Sequence, residues 1–231
     1  MASLIFNALF PARCVFCTLP PGNKRICRRC IDILPWNDRC CERCGQPVSL
    51  EQPAGVPCAD CQRRPPVFCK ARAPLRYAFP VDVALKKMKF RRQLTFAPVF
   101  AELMLPLIAS DFADYDVLVP VPLYRWRHFT RGFNQADELG RHLEKSSGLP
   151  VIKSVVRTRA TRPQSGLSAA ERRKNIGKAF AMKSLLLYRK PLIIDDVITT
   201  GTTCNELAKT LIDAGAEKVG VLTVAHSGQA G

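Results

Sequence analysis

At 231 residues the chain can form one sizeable core plus a small appendage, and its 47% apolar content indicates a globular protein. A formal charge of +16 is concentrated rather than spread: residues 151–190 carry 11 basic residues against one acidic, whereas 191–231 are net acidic. No run of about 18 apolar residues exists, which excludes a membrane-spanning helix, and residues 1–10 lack the basic start and long apolar centre of an export signal, so a reducing cytoplasm is expected.

In a reducing compartment, eleven cysteines point to metal binding rather than to disulfides. Four CxxC pairs lie within residues 14–61: Cys14/Cys17, Cys27/Cys30, Cys41/Cys44 and Cys58/Cys61. A CxxC turn aims two sulfurs at one point, and two such turns complete the tetrahedral four-thiolate shell that Zn2+ prefers, so two structural zinc sites are expected. Sequential and interleaved pairing of the turns are both open, and Cys40 could replace Cys41. Cys69 and Cys204 read as plain apolar residues. A closed four-thiolate shell has no free coordination position, so neither metal is given a catalytic role. Seven arginines (Arg25, Arg28, Arg29, Arg39, Arg43, Arg63 and Arg64) surround the ligands. Eight thiolates around two Zn2+ carry about −4, which these cations can balance without any nucleic acid.

Arg63, Arg64, Pro65 and Pro66 read as a linker, because paired prolines stop helices and ladders alike. The expected division is a small double zinc-ribbon domain, with four cysteines to each metal, at 1–66 and a second domain at 67–231. An edge strand is expected at 75–79, followed by a helix at 81–90 with Val81, Leu85 and Met88 on one face and Lys86, Lys87 and Lys89 elsewhere. Residues 96–108, interrupted by Glu102 and Pro106, read as a core helix, and VLVPVP at 117–122 as a buried strand. From 123 to 135 cations alternate with aromatics, and Gly132 precedes a helix at 134–145 carrying Ala136, Leu139 and Leu143. Such a loop suits pyrophosphate, gripped by arginine forks, or bases stacked on its rings. A third strand is expected at 151–156. Residues 157–178 then form a long basic loop, with Glu171 its one acid, of the length expected of a lid or binding element. Further strands at 179–182 and 219–225 complete an α/β alternation, which implies a doubly wound parallel sheet with helices on both faces and its site at the strand carboxyl ends.

The most informative stretch is LIIDDVITTGTT at 192–203. Leu192, Ile193 and Ile194 suit a strand buried on both faces, which Asp195 and Asp196 are expected to end. Thr199, Thr200, Gly201, Thr202 and Thr203 then lead into a helix through Leu207, Leu211 and Ile212. Glycine lets the backbone approach a ligand, the unpaired N–H groups of a helix start point outward, and threonine hydroxyls add donors, which together make a phosphate cradle. Paired carboxylates would repel that phosphate, so they are expected to meet something else, ribose hydroxyls or Mg2+. A sugar phosphate satisfies both halves. The GxGxxG and GxxxxGKS patterns are absent, so neither a dinucleotide fold nor an NTPase is favoured.

This stretch resembles the 5-phosphoribosyl-1-pyrophosphate (PRPP) loop of type I phosphoribosyltransferases, in which the acid pair meets the ribose hydroxyls and the loop holds the 5-phosphate. Thr130, Arg131, Gly132 and Phe133 resemble the pyrophosphate loop of that fold, and the basic loop after 157 stands where the fold has a mobile lid. With the four CxxC pairs, Lys86 to Phe90, RGFNQA at 131–136 and residues 175–180, the chain is similar almost throughout to the ComF family, which includes the GntX proteins. The resemblance implies a cytoplasmic bacterial protein with a zinc ribbon ahead of a type I phosphoribosyltransferase-like domain. It implies PRPP with Mg2+ as ligand, through Asp195, Asp196, Thr199, Thr200, Gly201, Thr202, Thr203, Arg131 and Gly132. It also implies a role in natural transformation or in using DNA as a nutrient, with single-stranded DNA as a partner and other DNA-uptake proteins at the inner membrane. One departure concerns catalysis: the branch acting on 6-oxopurines has an acid where this chain has Thr199, so proton transfer by that route is not available and no catalytic residue is assigned.

Overall fold

The structure is a computed structural model that describes residues 13–22, 24–53, 56–124, 132–158 and 179–228. Two one-turn helices, α1 (Arg28–Asp32) and α2 (Ala59–Arg63), each begin directly after a cysteine, Cys27 and Cys58. A strand unforeseen from the sequence, β1 (Lys70–Arg72), follows, and the expected edge strand shrinks to the two-residue β2 (Leu75–Arg76). Both pair in parallel with the last strand, whose register with β2 ends at Arg76 opposite His226; Tyr77 N–H still donates to the His226 carbonyl at 2.9 Å. Helices α3 (Val81–Arg91) and α4 (Phe96–Asp111) come next, then β3 (Val117–Pro120) and α5 (Gln135–Ser147). Asn134 caps α5 by accepting the Ala136 N–H, and Gly148, in the left-handed region at φ 77°, ends it. The remaining elements are β4 (Val155–Arg157), β5 (Phe180–Met182), β6 (Pro191–Ile198), α6 (Thr202–Asp213) and β7 (Gly220–His226).

The main sheet runs β1-β7-β6-β3, entirely parallel, with β2 also on β7. Its faces are separated by strand alternation. Leu192 and Ile194 of β6 join Leu118, Leu222 and Val224 under α3, α4 and α5. Ile193 joins Val117, Val119 and Val221 under α6, where Leu207, Ala208 and Leu211 pack. β3, β7 and the first half of β6 are buried on both sides, as parallel strands between helix layers require, whereas the edge strands β1 and β2 are not.

Two expectations are corrected here. Residues 151–156 do not form a third strand of this sheet: Val151 makes one parallel bridge to Leu118, and β4 then turns away into an antiparallel pair with β5. The acid pair does not end its strand either. β6 continues to Ile198 because its ladder to β7 persists, Asp195 opposite Thr223 and Ile198 opposite His226. On its other side β3 stops at Pro120 opposite Ile194, so the acids lie where β6 loses one neighbour.

The cysteine-rich segment does not stand apart from this core. Cys14, Cys27, Cys30 and Leu34 are buried in the same cluster as α3 and α4, and Phe16 meets Phe96 and Phe100 edge-on with ring centres 5.6 and 6.4 Å apart. Trp36 bridges Leu75, and the Asn37 side-chain amide donates to the carbonyls of Gly45 and Ala73. Among the described residues no helix is long and apolar enough to cross a membrane.

Candidate functional site

Two four-sulfur groups form, and the pairing is sequential: Cys14, Cys17, Cys27 and Cys30, then Cys41, Cys44, Cys58 and Cys61, with the sulfurs of each group within 4.8 Å of one another. Cys17 and Cys27 Sγ are 3.6 Å apart, and Cys44 and Cys58 Sγ 3.7 Å. A tetrahedron with Zn–S of about 2.3 Å has edges of about 3.8 Å, so the spacing fits zinc, and it is far beyond the S–S bond of about 2.05 Å in a disulfide. Burial raises the Cys14 thiol, but N–H donors of Cys27, Cys17 and Phe16 outweigh it and bring it down to about 6. At Cys41 the N–H groups of Cys44, Cys58 and Arg43 likewise overcome burial, giving about 7. Backbone donors thus favour the thiolate, the state that binds metal, at one cysteine of each knot. Cys40 is not a ligand: it bridges Pro47 while Cys41 turns into the cluster. Cys204 is buried in the apolar layer as expected, whereas Cys69 is exposed, just ahead of the edge strand β1.

The phosphate-cradle residues lie together at the carboxyl end of β6. Thr199 and Thr200 are exposed, and Gly201 sits in the left-handed region at φ 68° as the residue before α6. Among the described residues no side chain caps α6 and no acid lies in its first turn, an arrangement that suits an anion at this helix start. The Thr200 and Thr202 hydroxyls are 2.7 Å apart, flanking that opening. The start of α5 differs, since Asn134 caps it and Asp137 and Glu138 fill its first turn.

Asp195 and Asp196 accept hydrogen bonds from neighbouring backbone: Asp196 N–H donates to the Asp195 carboxylate at 2.9 Å, and Val197 N–H to Asp196 at 2.8 Å. No cation among the described residues is within ion-pair distance of either acid. Burial first, and the Asp196 charge second, push the Asp195 carboxyl well above the usual carboxylate range, against a weaker pull from Lys89. Such a pair favours whatever supplies positive charge or hydroxyl donors.

Because β3 and β6 are neighbours in parallel register, the segment leaving β3 and the loop leaving β6 emerge side by side. Gly132 is exposed at φ 74°, and a Cβ there would lie 2.4 Å from the Arg92 guanidinium, so glycine is what lets Arg92 approach. Arg131, and the basic loop at 159–178, fall outside the described residues.

Several residues not singled out by the sequence also reach this end of the sheet. A cleft of about 1100 Å³ lies between the loop at 199–202 and the second cysteine knot, lined on the far side by Arg63, Arg64 and Pro66, and on the sheet side by Phe68 and His226. Phe68, fully buried, supports the loop: its ring carbon would be 3.5 Å from a Cβ at Gly201. His226, 2% exposed, accepts the Gly228 N–H on Nδ1, so its proton rests on Nε2, and burial lowers its pKa to about 4. The one sequence signal for this wall was the Arg63-Arg64 pair, which resembled an ordinary solvated linker. Along α3, Lys86 lies over Tyr77 and Lys89 over Phe90, and Phe79 and Phe90 are exposed at its two ends.

Comparison with known proteins adds the following. The double zinc ribbon domain matches residues 5–62, and the phosphoribosyl transferase domain residues 129–230. Competence protein F of Haemophilus influenzae is 31% identical over 94% of this chain and 98% of its own length. The DNA utilization protein YhgH of Escherichia coli K12 is 32% identical over 91% of this chain and 95% of its own. Competence protein ComFC of Streptococcus pneumoniae is 28% identical over 77% of this chain and 80% of its own.

Proposed function

This chain belongs to the ComF family, a double zinc ribbon joined to a phosphoribosyltransferase domain, and from that premise we propose that it binds PRPP at the end of β6 and serves DNA uptake or utilisation in the cytoplasm. The observation that carries this reading is the uncapped start of α6 behind Gly201, set beside an acid pair that meets no cation among the described residues. N–H groups of the first turn of α6 and the hydroxyls of Thr199, Thr200, Thr202 and Thr203 take the 5-phosphate. Asp195 and Asp196 take ribose hydroxyls and the Mg2+ that accompanies a pyrophosphate; the metal would neutralise the leaving group, and adjacent carboxylates fit a hard cation. Gly132 and the neighbouring Arg92 stand on the side proposed for the pyrophosphate. Calorimetry with PRPP and Mg2+ on zinc-loaded protein tests the reading. Saturable binding that Asp195→Asn weakens supports it, and no heat of binding from the wild type removes it.

Single-stranded DNA is the proposed second ligand. Phe79 offers a ring face to unstacked bases, and Lys86, Lys89 and Arg91 on α3 offer charge to the backbone. Affinity for a single strand should fall steeply with salt, and Lys86→Ala with Arg91→Ala should flatten that slope by about one to two units. A salt-independent affinity would end this part. Phosphoribosyl transfer is a separate question, because Thr199 stands where 6-oxopurine enzymes of the resembled fold carry an acid. A screen for pyrophosphate release across candidate acceptors decides between a transferase and a PRPP sensor.

A further inference from the structure

Chain leaving the last ligand of the second knot does not run free to the sheet. Arg43 donates to the Pro66 carbonyl at 3.1 Å, Val67 N–H donates to Asn205 Oδ1 on α6 at 2.7 Å, and Phe68 is wedged beneath Gly201. Residues 63–68 are therefore fixed at one end to the knot and at the other to the phosphate loop, and they form one wall of the cleft of about 1100 Å³. That volume lies just above the range of small-ligand sites, about 300–1,000 Å³, and exceeds what a lone phosphate needs. Across the opening from the loop stand Arg63, held to Asp60 at 2.9 Å, and Arg64, which has no carboxylate partner among the described residues. The buried His226 adds a neutral ring to the lining, its Nδ1 already occupied by the Gly228 N–H.

We propose that the second cysteine knot is a wall of the ligand site, where Arg63 and Arg64 hold a second phosphate of a ligand whose terminal phosphomonoester occupies the loop at 199–203. The inference rests on the reading of that loop given above. A structural metal knot needs only local charge balance, which its own neighbours Arg39 and Arg43 can supply. A pair of arginines facing a threonine-lined anion cradle across a cleft instead suits a ligand with two separated anionic groups. Two sources share that chemistry. One is a free pentose bearing single phosphates at both ends, such as ribose 1,5-bisphosphate, because the pyrophosphate of PRPP is assigned above to the Gly132 side; the other is the 5′-phosphorylated end of a single strand, whose next phosphate follows one nucleoside along.

The experiment titrates zinc-loaded protein, with Mg2+, against ribose 1,5-bisphosphate, a 5′-phosphorylated trinucleotide and its 5′-hydroxyl counterpart. Wild type, the double variant Arg63→Ala/Arg64→Ala, and Arg64→Lys are compared, with zinc content measured for each. The expected result is wild-type binding of at least one phosphorylated probe and about tenfold weaker binding by the double variant with its zinc intact. Arg64→Lys should recover part of the loss. A response confined to the bisphosphate assigns the free sugar, and preference for the phosphorylated over the hydroxyl trinucleotide assigns the strand end. Wild-type affinity of the double variant for every probe overturns the proposal while leaving the loop reading intact; loss of zinc from the double variant also overturns it, because the arginines then serve the metal. A wild type that binds none of the probes overturns both.

Discussion

Asp195 shows how function sets a residue against stability. Its carboxylate is pressed into a half-buried place beside a second acid, and charging it there costs free energy that Asn would not incur. Asp195→Asn should therefore raise the ligand-free melting temperature by about 3 °C while abolishing the further rise caused by PRPP with Mg2+; differential scanning with and without ligand checks both halves. His226 acts in the opposite direction with pH. Its folded value of about 4 lies below the ordinary 6.5, so between these the unfolded chain binds the extra proton. The stabilisation is complete above about pH 6.5 and is lost as pH falls toward 4, by about 3 kcal/mol at most. His226→Asn keeps an acceptor for the Gly228 N–H and should flatten this component, read as the difference between the two pH profiles of urea unfolding. Gly201 is constrained twice, by φ 68° and by the Phe68 ring beneath it. Gly201→Ala should cost about 1–2 kcal/mol of stability, measured by urea titration.

Among the elements, β6 determines the site by where its neighbours stop. Its ladder with β7 continues to Ile198 while β3 ends opposite Ile194, so the acid pair is held rigidly on one side and open on the other. The sequence made this strand, its acids and the following loop readable, because a run of apolar residues, a charge pair and a glycine turn are all local signals. It did not show that the strand continues through the acids, since that depends on a partner strand beyond the whole of α6. Nor did it reveal β1, a three-residue edge strand with one buried side chain and therefore no periodicity. The placement of 155–157 in a separate antiparallel pair was equally hidden, because β-branched residues suit either sheet. Phe68 belongs to this scale as well. Phe68→Ala should cost about 3–5 kcal/mol by emptying a fully buried site, and should weaken PRPP binding although the residue touches only the underside of the loop; Phe68→Leu should recover most of both. Retained affinity in a folded Phe68→Ala protein would show that the loop holds its shape unaided.

For the molecule as a whole, the ribbon and the sheet share one interior. The eight metal-binding cysteines were legible as four pairs, and a linker was expected after them. Sequence spacing could not say that the first knot packs on Phe96 and Phe100 or that the second faces the phosphate loop, because both contacts join segments far apart in the chain. Two zinc ions per chain are expected by elemental analysis, and chelation should unfold the protein in one cooperative transition, followed by both far-ultraviolet dichroism and tryptophan fluorescence. An early loss of the ribbon signal alone, with the sheet intact, would contradict the shared interior. The contact of Phe16 with α4 has a physiological consequence. Without zinc, the most apolar helix of the protein would be stripped of its cover, and the nascent chain would become a substrate for proteases. Scarcity of the metal would then lower the number of copies in a cell, while each surviving copy worked at full strength.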